Sequence, residues 1–157
     1  MQMVTMRRGR GWSIGGLVIA SLWFGLLLGV SFLATPVKFL APSLTLPVAL
    51  DIGRHTFAVL NKIEWVTAVL LLFLLLGGCR SWLANAAAII AALLVLAETV
   101  WLLPALDQRV SLIIAGQPLP ISSDHNIYIA IDIMKLAALA LVIWAMALRL
   151  SKPPPGP

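Results

Sequence analysis

Four polar side chains recur at helical spacing in an otherwise apolar stretch near the C-terminus. They are His125, Tyr128, Asp132 and Lys135. At about 100° per residue these positions fall within an arc of about 80°, so on a helix they form one polar stripe. The stripe joins an imidazole, a phenol, a carboxylate and an ammonium, which can together bind protons, pair charges or hold a polar ligand.

Two further acids, Glu64 and Glu98, belong to other apolar stretches of the chain. Asp132 and Lys135 are spaced for an i,i+3 ion pair within one helix. Glu98 has no evident local partner, so it could be neutral or could reach Lys135 or Arg109. Ionisable side chains inside a membrane span usually pair, face water or serve a function. The predicted intramembrane polar site comprises His125, Tyr128, Asp132, Lys135, Glu98 and Glu64.

Three interpretations of these polar residues stay open. They could form a buried network that fixes helix register, or a site for a solute, proton or ligand. A metal site built from His125, His55, Glu64 and Glu98 is the third, but the two histidines lack a fixed spacing motif. We therefore predict no metal ion and no cofactor. The sequence has no G-x-S-x-G, H-E-x-x-H, P-loop, dinucleotide-binding or C-x-x-C motif, so we predict no catalytic residue.

The composition of the 157 residues is that of a membrane protein. Hydrophobic residues make up 61% of the chain and charged residues 11%, which is far from the balance of soluble domains. The net charge of +5 does not indicate nucleic-acid binding, because most basic residues flank apolar spans rather than form an aromatic-laced patch. Cys79 is the single cysteine, so the chain has neither an internal disulfide nor a cysteine metal cluster. The predicted partner is the lipid bilayer.

The apolar stretches predict four transmembrane helices in a single membrane domain, residues 1–157. We place them at about 12–35, 57–79, 82–103 and 126–148. Apolar residues at helical spacing between Pro47 and Leu60 predict an interfacial helix that leads into the second span. The predicted fold class is therefore all-α: an integral membrane four-helix bundle with an interfacial helix in the first outer loop.

The charges that flank the spans predict the orientation. The side of the termini and of the short turn at Cys79 and Arg80 carries basic residues without acids. These basic residues are Arg7, Arg8, Arg10, Arg80, Arg149 and Lys152. The long loops between spans one and two and between spans three and four carry both signs. The positive-inside rule therefore predicts an inner-membrane protein with several spans and both termini in the cytoplasm. The closing proline-rich residues, 153–157, predict a short extended tail.

Small residues at four-residue spacing predict close helix contacts. The first helix carries Ser21, Gly25 and Gly29, and the third carries Ala84, Ala88 and Ala92. Such rows let helix backbones approach in lipid. We predict packing within one chain, with a homodimer face or a membrane-protein partner as the alternative. Pro36 and Pro42 predict the end of the first helix.

The end of the first helix, Gly29-Val30-Ser31-Phe32-Leu33-Ala34-Thr35-Pro36-Val37, precedes a long outer loop, and the fourth helix opens with residues 125–135. This layout resembles uncharacterised four-span bacterial membrane proteins of domain-of-unknown-function families, similar to the transmembrane protein 205 group. Those families commonly close the first helix on a proline, here Pro36, and open the last with a histidine, here His125. The layout is also similar to the anthrone-oxygenase-like four-span family, which would favour an enzyme. Neither resemblance supplies a catalytic residue.

The predicted function is that of a small non-enzymatic membrane protein with an outward-facing polar site. This site would bind or pass a small solute or a proton. Two alternatives stay open: an accessory subunit of a larger membrane complex, and a small enzyme for an apolar or quinone-like substrate. In the enzyme, His125 and Asp132 would handle protons, so they would have to share one pocket.

Overall fold

The computed structural model describes residues 2–78, 81–117, 120 and 123–151, which form four long helices. Helix α2 is Leu46–Gly78 and α4 is Asp124–Ser151. Helix α1 is interrupted by a π-helical turn and consists of Gln2–Leu27, the turn Leu28–Ala34 and Thr35–Lys38. Helix α3 is interrupted in the same way and consists of Trp82–Ala97, the turn Glu98–Leu102 and Leu103–Ile114. The predicted turn at Cys79 and Arg80 and the C-terminal proline tail lie outside the described residues.

All four helices are long and apolar enough to cross a bilayer, with candidate spans of 28 to 33 residues. At about 1.5 Å per residue even the shortest extends about 42 Å, more than the roughly 30 Å of hydrocarbon in a membrane. The all-α four-helix prediction is therefore confirmed, and the apolar outer surface is that of a multi-pass membrane protein.

The helices are longer than the sequence predicted: α1 begins at Gln2 instead of near residue 12, and the start of α2 and the end of α3 are also extended. The second helix begins at Leu46 instead of near residue 57, so the predicted interfacial segment is its first part rather than a separate element. The third helix continues to Ile114 instead of ending near residue 103. Side chains hold these extensions together: Arg54 of α2 lies 3.7 Å from Asp107 and donates a 3.2 Å hydrogen bond to Ser111 of α3.

Helices α1 and α3 each contain a proline well beyond their first turn, and in each a π-helical turn, which is wider than an α-helical turn, precedes that proline. Proline lacks an N–H and its ring collides with the carbonyl four residues earlier, so an α-helix cannot pass through it unchanged. Each π-helical turn ends two residues before a proline, Pro36 in α1 and Pro104 in α3. The first helix passes Pro36, because the turn shifts the hydrogen bonds to i−5, and it ends at Lys38, between Pro36 and Pro42 as predicted. In α1 the Thr35 N–H and hydroxyl both donate to the Val30 carbonyl.

The helices form a ring in which α1 and α3 each pack against both α2 and α4. The connection after Lys38 and the one after Ile114 lie at one end of the bundle, here called the loop end. The start of α1 and the end of α4 lie at the other end, which we call the terminal end. At the loop end α3 stops where Gly116 adopts a left-handed conformation (φ 75°), which lets the Gln117 N–H reach back to the Leu112 carbonyl.

The two rows of small residues face different surroundings. In α3, Ala84 and Ala88 are fully buried against the other helices, as predicted for packing within the chain. In α1, a methyl group added at Gly25 or Gly29 would meet nothing within 4 Å. The prediction of packing within one chain is therefore wrong for the α1 row, and its role as a homodimer face stays a prediction.

Gly78 at the end of α2 gives the first testable prediction. A Cβ atom there would overlap the ring of Trp12, so a side chain at this position requires a shift of the ring. We expect Gly78→Ala to lower the free energy of unfolding by about 1–3 kcal/mol, as is typical of overpacking. Thermal unfolding in detergent micelles measures this change.

Gly25→Ala is the matched control, since it also places alanine at a helical glycine but into open space. Alanine favours a helix over glycine by about 1 kcal/mol, so this variant should be as stable as the native chain or slightly more stable. Equal effects of the two substitutions would contradict close contact between Gly78 and Trp12.

Candidate functional site

Lys135 of α4 lies at the centre of the bundle with three carboxylates around its ammonium group. Its Nζ donates hydrogen bonds of 2.7 Å to Glu64 Oε1 of α2 and 2.7 Å to Glu98 Oε2 of α3. Asp132 Oδ1, one turn earlier in α4, lies 2.9 Å from the same nitrogen. These four residues, the Lys135 cluster, join three of the four helices.

The first helix completes the site through a tryptophan. The indole N–H of Trp23 donates a 3.1 Å hydrogen bond to Glu64 Oε1, the oxygen that also accepts from Lys135. Trp23 is fully buried, and an indole N–H at that depth needs an acceptor. Every helix of the bundle therefore contributes a side chain to one polar centre.

Local helix geometry brings the acids to Lys135. Asp132 reaches it because residues three apart lie on the same face of α4. Glu98 is the first residue of the π-helical turn in α3, and Leu103 donates its N–H to the Glu98 carbonyl. Single π-helical turns within α-helices are rare and frequently occur at functional sites. The turn that accommodates Pro104 thus begins at a residue of the Lys135 cluster.

The Lys135 cluster is almost completely buried and carries more acids than bases. Lys135, Glu64 and Glu98 are 0% exposed and Asp132 is 1% exposed. Three carboxylates and one ammonium give a formal charge of −2 if all are ionised. Moving one isolated ion into a medium of low dielectric constant costs on the order of 20 kcal/mol in the ideal case. A cluster with two uncompensated charges would therefore be strongly unfavourable without bound protons or another cation.

Several carboxylate oxygens of the Lys135 cluster can still accept a hydrogen bond from a ligand. Among the described residues, Glu64 Oε2, Glu98 Oε1 and Asp132 Oδ2 are buried without a hydrogen-bond partner. A buried carboxylate oxygen normally accepts at least one hydrogen bond. The cluster can thus accept additional protons or hydrogen-bond donors.

A cavity of about 330 Å³ opens next to Asp132, towards the loop end. Helices α1, α2 and α4 and the residue after α1 supply its walls, which are Ser31, Phe32, Thr35, Pro36, Phe39, Phe57, His125, Tyr128, Ile129 and Asp132. We call it the loop-end cavity. A larger and more open groove of about 420 Å³ between α1 and α2 includes no residue of the Lys135 cluster.

The predicted stripe on α4 leads from the surface to the cluster. His125 is exposed, Tyr128 is 3% exposed, and Asp132 and Lys135 are buried. His125, Tyr128 and Asp132 all line the loop-end cavity. Polar side chains therefore follow one face of the helix from the loop end down to Lys135.

On the terminal side of the cluster the bundle is packed with apolar side chains. Ala68 and Leu71 of α2, Ala91 and Val95 of α3, and Leu139 of α4 lie within about two turns of the ionisable residues. All five are almost completely buried. Among the described residues, the cavity that reaches Asp132 therefore lies on the loop-end side of the Lys135 cluster, and apolar side chains pack on the other side.

A second polar contact joins α2 and α3 beside the cluster. Thr99 Oγ1 lies 3.0 Å from Asn61 Oδ1 and accepts a 2.9 Å hydrogen bond from the indole N–H of Trp65. Asn61 and Trp65 are four residues apart and lie on one face of α2, and Glu64 lies between them in the sequence. On α3, Thr99 follows Glu98 directly. This contact orients the two helices that present the glutamates.

The structure brings together all six residues predicted for the site. Glu64, Glu98, Asp132 and Lys135 meet directly, whereas Tyr128 and His125 line the cavity that leads to them. The i,i+3 pair of Asp132 and Lys135 is confirmed. Glu98 reaches Lys135 rather than Arg109, whose guanidinium contacts the Pro120 carbonyl instead.

The predicted depth of the two glutamates differs from the observed one. With the predicted spans of 57–79 and 82–103, Glu64 and Glu98 would lie near the outer ends of the second and third helices. Because α2 begins earlier and α3 ends later, both glutamates lie near the middle of their helices.

The metal alternative does not match the observed geometry. His55 is exposed and its Nδ1 donates a 2.9 Å hydrogen bond to the Asp51 carbonyl, and His125 is exposed at the cavity. Glu64 and Glu98, which would have joined them as ligands, instead hold the ammonium of Lys135. Within the described ranges no three histidine, cysteine or acidic side chains are grouped as metal ligands.

Sequence reasoning missed the residues that support the acids. Trp23 lies mid-span, where an indole N–H needs an acceptor. Trp65 lies near the start of the predicted second span, and its N–H binds Thr99 inside the bundle. Thr99 follows Glu98 directly and Asn61 lies three residues before Glu64, and that proximity was the available signal.

Comparisons with sequence models of protein families, with curated proteins and with solved structures found no match to this chain.

Proposed function

We propose that this protein binds a proton or a small cationic solute at the Lys135 cluster and exchanges it through the loop-end cavity. The observation that carries the proposal is the buried excess of acids, three carboxylates around one ammonium, with Asp132 also lining the cavity. A positive ligand is the chemical species that balances this charge.

A network that only fixed helix register would need one acid for one lysine. Each additional buried carboxylate raises the desolvation cost, and buried ion pairs are weak stabilisers even when they are balanced. Ionisable groups at mid-membrane depth are typical of ion and proton pathways. The excess of acids therefore supports a binding role over a purely structural one.

The same arrangement supports binding at one side rather than free passage. The cavity approaches Asp132 from the loop end, and apolar side chains fill the bundle beyond Lys135. Passage across the membrane would require the apolar half to open. In the conformation described here, the site is an uptake site.

The charges of the connections support an orientation. In the sequence, six Lys and Arg residues flank the termini and the short turn, whereas Lys38, Arg54 and Arg109 flank the two long connections. By the positive-inside rule we propose that the termini lie in the cytoplasm and that the cavity faces outward, in a bacterial inner membrane.

Infrared spectroscopy of the purified protein in lipid nanodiscs tests proton binding. At neutral pH we expect the C=O stretch of at least one protonated buried carboxyl group per chain, because two uncompensated charges are too costly in this environment. In deuterated buffer this band should shift, since the loop-end cavity gives the cluster access to water.

Glu98→Gln should remove most of the protonated-carboxyl band, because one acid fewer leaves less excess negative charge to neutralise. Asp107→Asn, at an exposed acid of α3, should leave the band unchanged. A native protein without the band at neutral pH would contradict proton binding. A band that never shifts in deuterated buffer would contradict access from the cavity.

Two alternatives have a specific observation behind them. His125 and Asp132 line one cavity, which the enzyme hypothesis requires. The outward row of Ser21, Gly25 and Gly29 suits a second copy or a larger complex. Mass analysis of the protein purified in mild detergent separates them, because a subunit retains its partner chains and an enzyme retains an apolar substrate or product.

A further inference from the structure

The walls of the loop-end cavity are unusually aromatic for their size. Phe32, Phe39, Phe57 and Tyr128 all line it, and the rings of Phe57 and Tyr128 lie 4.8 Å apart between centroids. Aromatic faces attract cations through their quadrupoles, most strongly where water is excluded. The cavity therefore combines an apolar surface with an affinity for positive charge.

The deepest polar group of the cavity is a carboxylate with one oxygen unused. Asp132 is 1% exposed, its Oδ1 lies 2.9 Å from Lys135, and its Oδ2 has no hydrogen-bond partner among the described residues. A buried carboxylate oxygen next to a cavity is a strong acceptor for a charged donor.

We propose that the loop-end cavity binds an organic ammonium ion with an apolar body, whose N–H donates to Asp132 Oδ2 while the body contacts the aromatic walls. This inference rests on the proposed function and names the class of its solute. The cavity volume of about 330 Å³ is at the lower end of the range for small-molecule sites, so the body is small.

The charges around Asp132 favour a positively charged ligand over a neutral or negative one. Lys135 supplies one positive charge, whereas Glu64 and Glu98 from the neighbouring helices supply two acids, and Tyr128 and His125 face the cavity from α4. An anionic ligand would be repelled by an acidic centre that is already overcharged. A neutral ligand would leave the excess negative charge uncompensated, so a cation gains most from binding.

Binding of an ammonium ion should displace a proton from the Lys135 cluster. Both cations neutralise the same excess charge, so the cluster has less need of its proton when the ammonium is bound. Affinity for the ammonium ion should consequently fall as the pH is lowered.

Three probes with one benzyl or phenyl body test the proposal: benzylammonium, benzyl alcohol and benzoate. Isothermal titration calorimetry of the full chain in nanodiscs, with empty nanodiscs subtracted, measures their binding. We expect benzylammonium to bind at least tenfold more tightly than benzyl alcohol, and benzoate not to bind. In weakly buffered solution, benzylammonium should release up to one proton per chain.

Two variants locate the site. Asp132→Asn should weaken benzylammonium binding by about tenfold to a hundredfold, the range for a lost charge-assisted hydrogen bond. Ser31→Leu fills the cavity from α1 without changing any residue of the Lys135 cluster, so it should abolish binding while the infrared carboxyl band stays. Asp107→Asn, at an exposed acid outside the cavity, should bind like the native chain.

The outcomes distinguish this inference from the proposed function. Equal binding of benzylammonium and benzyl alcohol, unchanged binding by Ser31→Leu, or no binding of benzylammonium would overturn the ammonium site. If the native protein then still shows the exchangeable protonated carboxyl, proton binding stands alone. Loss of both signals would overturn both proposals.

Discussion

Lys135→Met is expected to lower the free energy of unfolding by about 3–5 kcal/mol, the range for breaking a buried ion pair by removal of one partner. Methionine fills a similar volume, so packing changes little, but Glu64, Glu98 and Asp132 lose the ammonium that holds them together. Unfolding in mixed micelles, followed by tryptophan fluorescence, measures the difference.

Removing one of the excess acids, rather than the lysine, should change the free energy of unfolding only slightly. Glu98→Gln keeps a carbonyl oxygen that can accept from Lys135 and removes one excess acid, so we expect stability within about 1 kcal/mol of the native protein. Lys62→Met, at an exposed lysine on α2, controls for the loss of a positive charge. If Glu98→Gln destabilised the bundle as much as Lys135→Met, the cluster would be a balanced structural network rather than an acid-rich site.

The pH dependence of the Lys135→Met variant provides a check on the cause. Without the ammonium, protonation of the carboxylates removes the uncompensated charges. The variant should therefore recover part of its lost stability as the pH falls. Recovery at higher pH instead would contradict an electrostatic origin.

Trp23→Ala is expected to have an effect of similar size, about 3–5 kcal/mol, the range for truncating a large buried aromatic residue. Trp23 is completely buried in the core between α1 and its neighbours, and its N–H is the contact of α1 with Glu64. The variant therefore loses packing and a hydrogen bond to a charged group together. The same micelle unfolding experiment measures the change.

Two further variants separate these contributions. Trp23→Phe retains most of the ring but loses the N–H, so it should cost about 1.5–3 kcal/mol as a lost hydrogen bond to a charged group. Trp144→Ala changes a tryptophan of α4 that is 56% exposed and should have little effect. Similar losses for Trp23→Ala and Trp144→Ala would contradict the central position of Trp23.

The sequence predicted correctly those features that depend on a single segment of the chain, namely the four apolar helices and the polar face of α4. Four apolar stretches suffice to indicate four membrane helices, because hydrocarbon tolerates few charges in a span. The spacing of Tyr128, Asp132 and Lys135 sufficed to place them on one face of a helix, because that periodicity is a property of the helix itself. The pairing of Asp132 with Lys135 follows from the same geometry.

Predictions that depend on prolines at helix ends were less accurate. The predicted helix ends near residues 35 and 103 lie beside Pro36 and Pro104, yet each proline is accommodated by a π-helical turn, and the helices continue to Lys38 and Ile114. Whether a proline ends a helix or only distorts it depends on the packing gained by continuing. Packing between the start of α2 and the end of α3 favours continuation here, and local sequence does not contain that information.

The sequence by itself determined the membrane class, the four helices and the polar stripe of α4, since hydropathy and helical period act within a single segment. Only the tertiary structure decided that Glu64, Glu98 and Trp23 meet at Lys135 and that a cavity reaches Asp132. The reason is that relative depth and rotation of separate helices are set by side-chain packing between them, and residues up to 71 positions apart form these contacts.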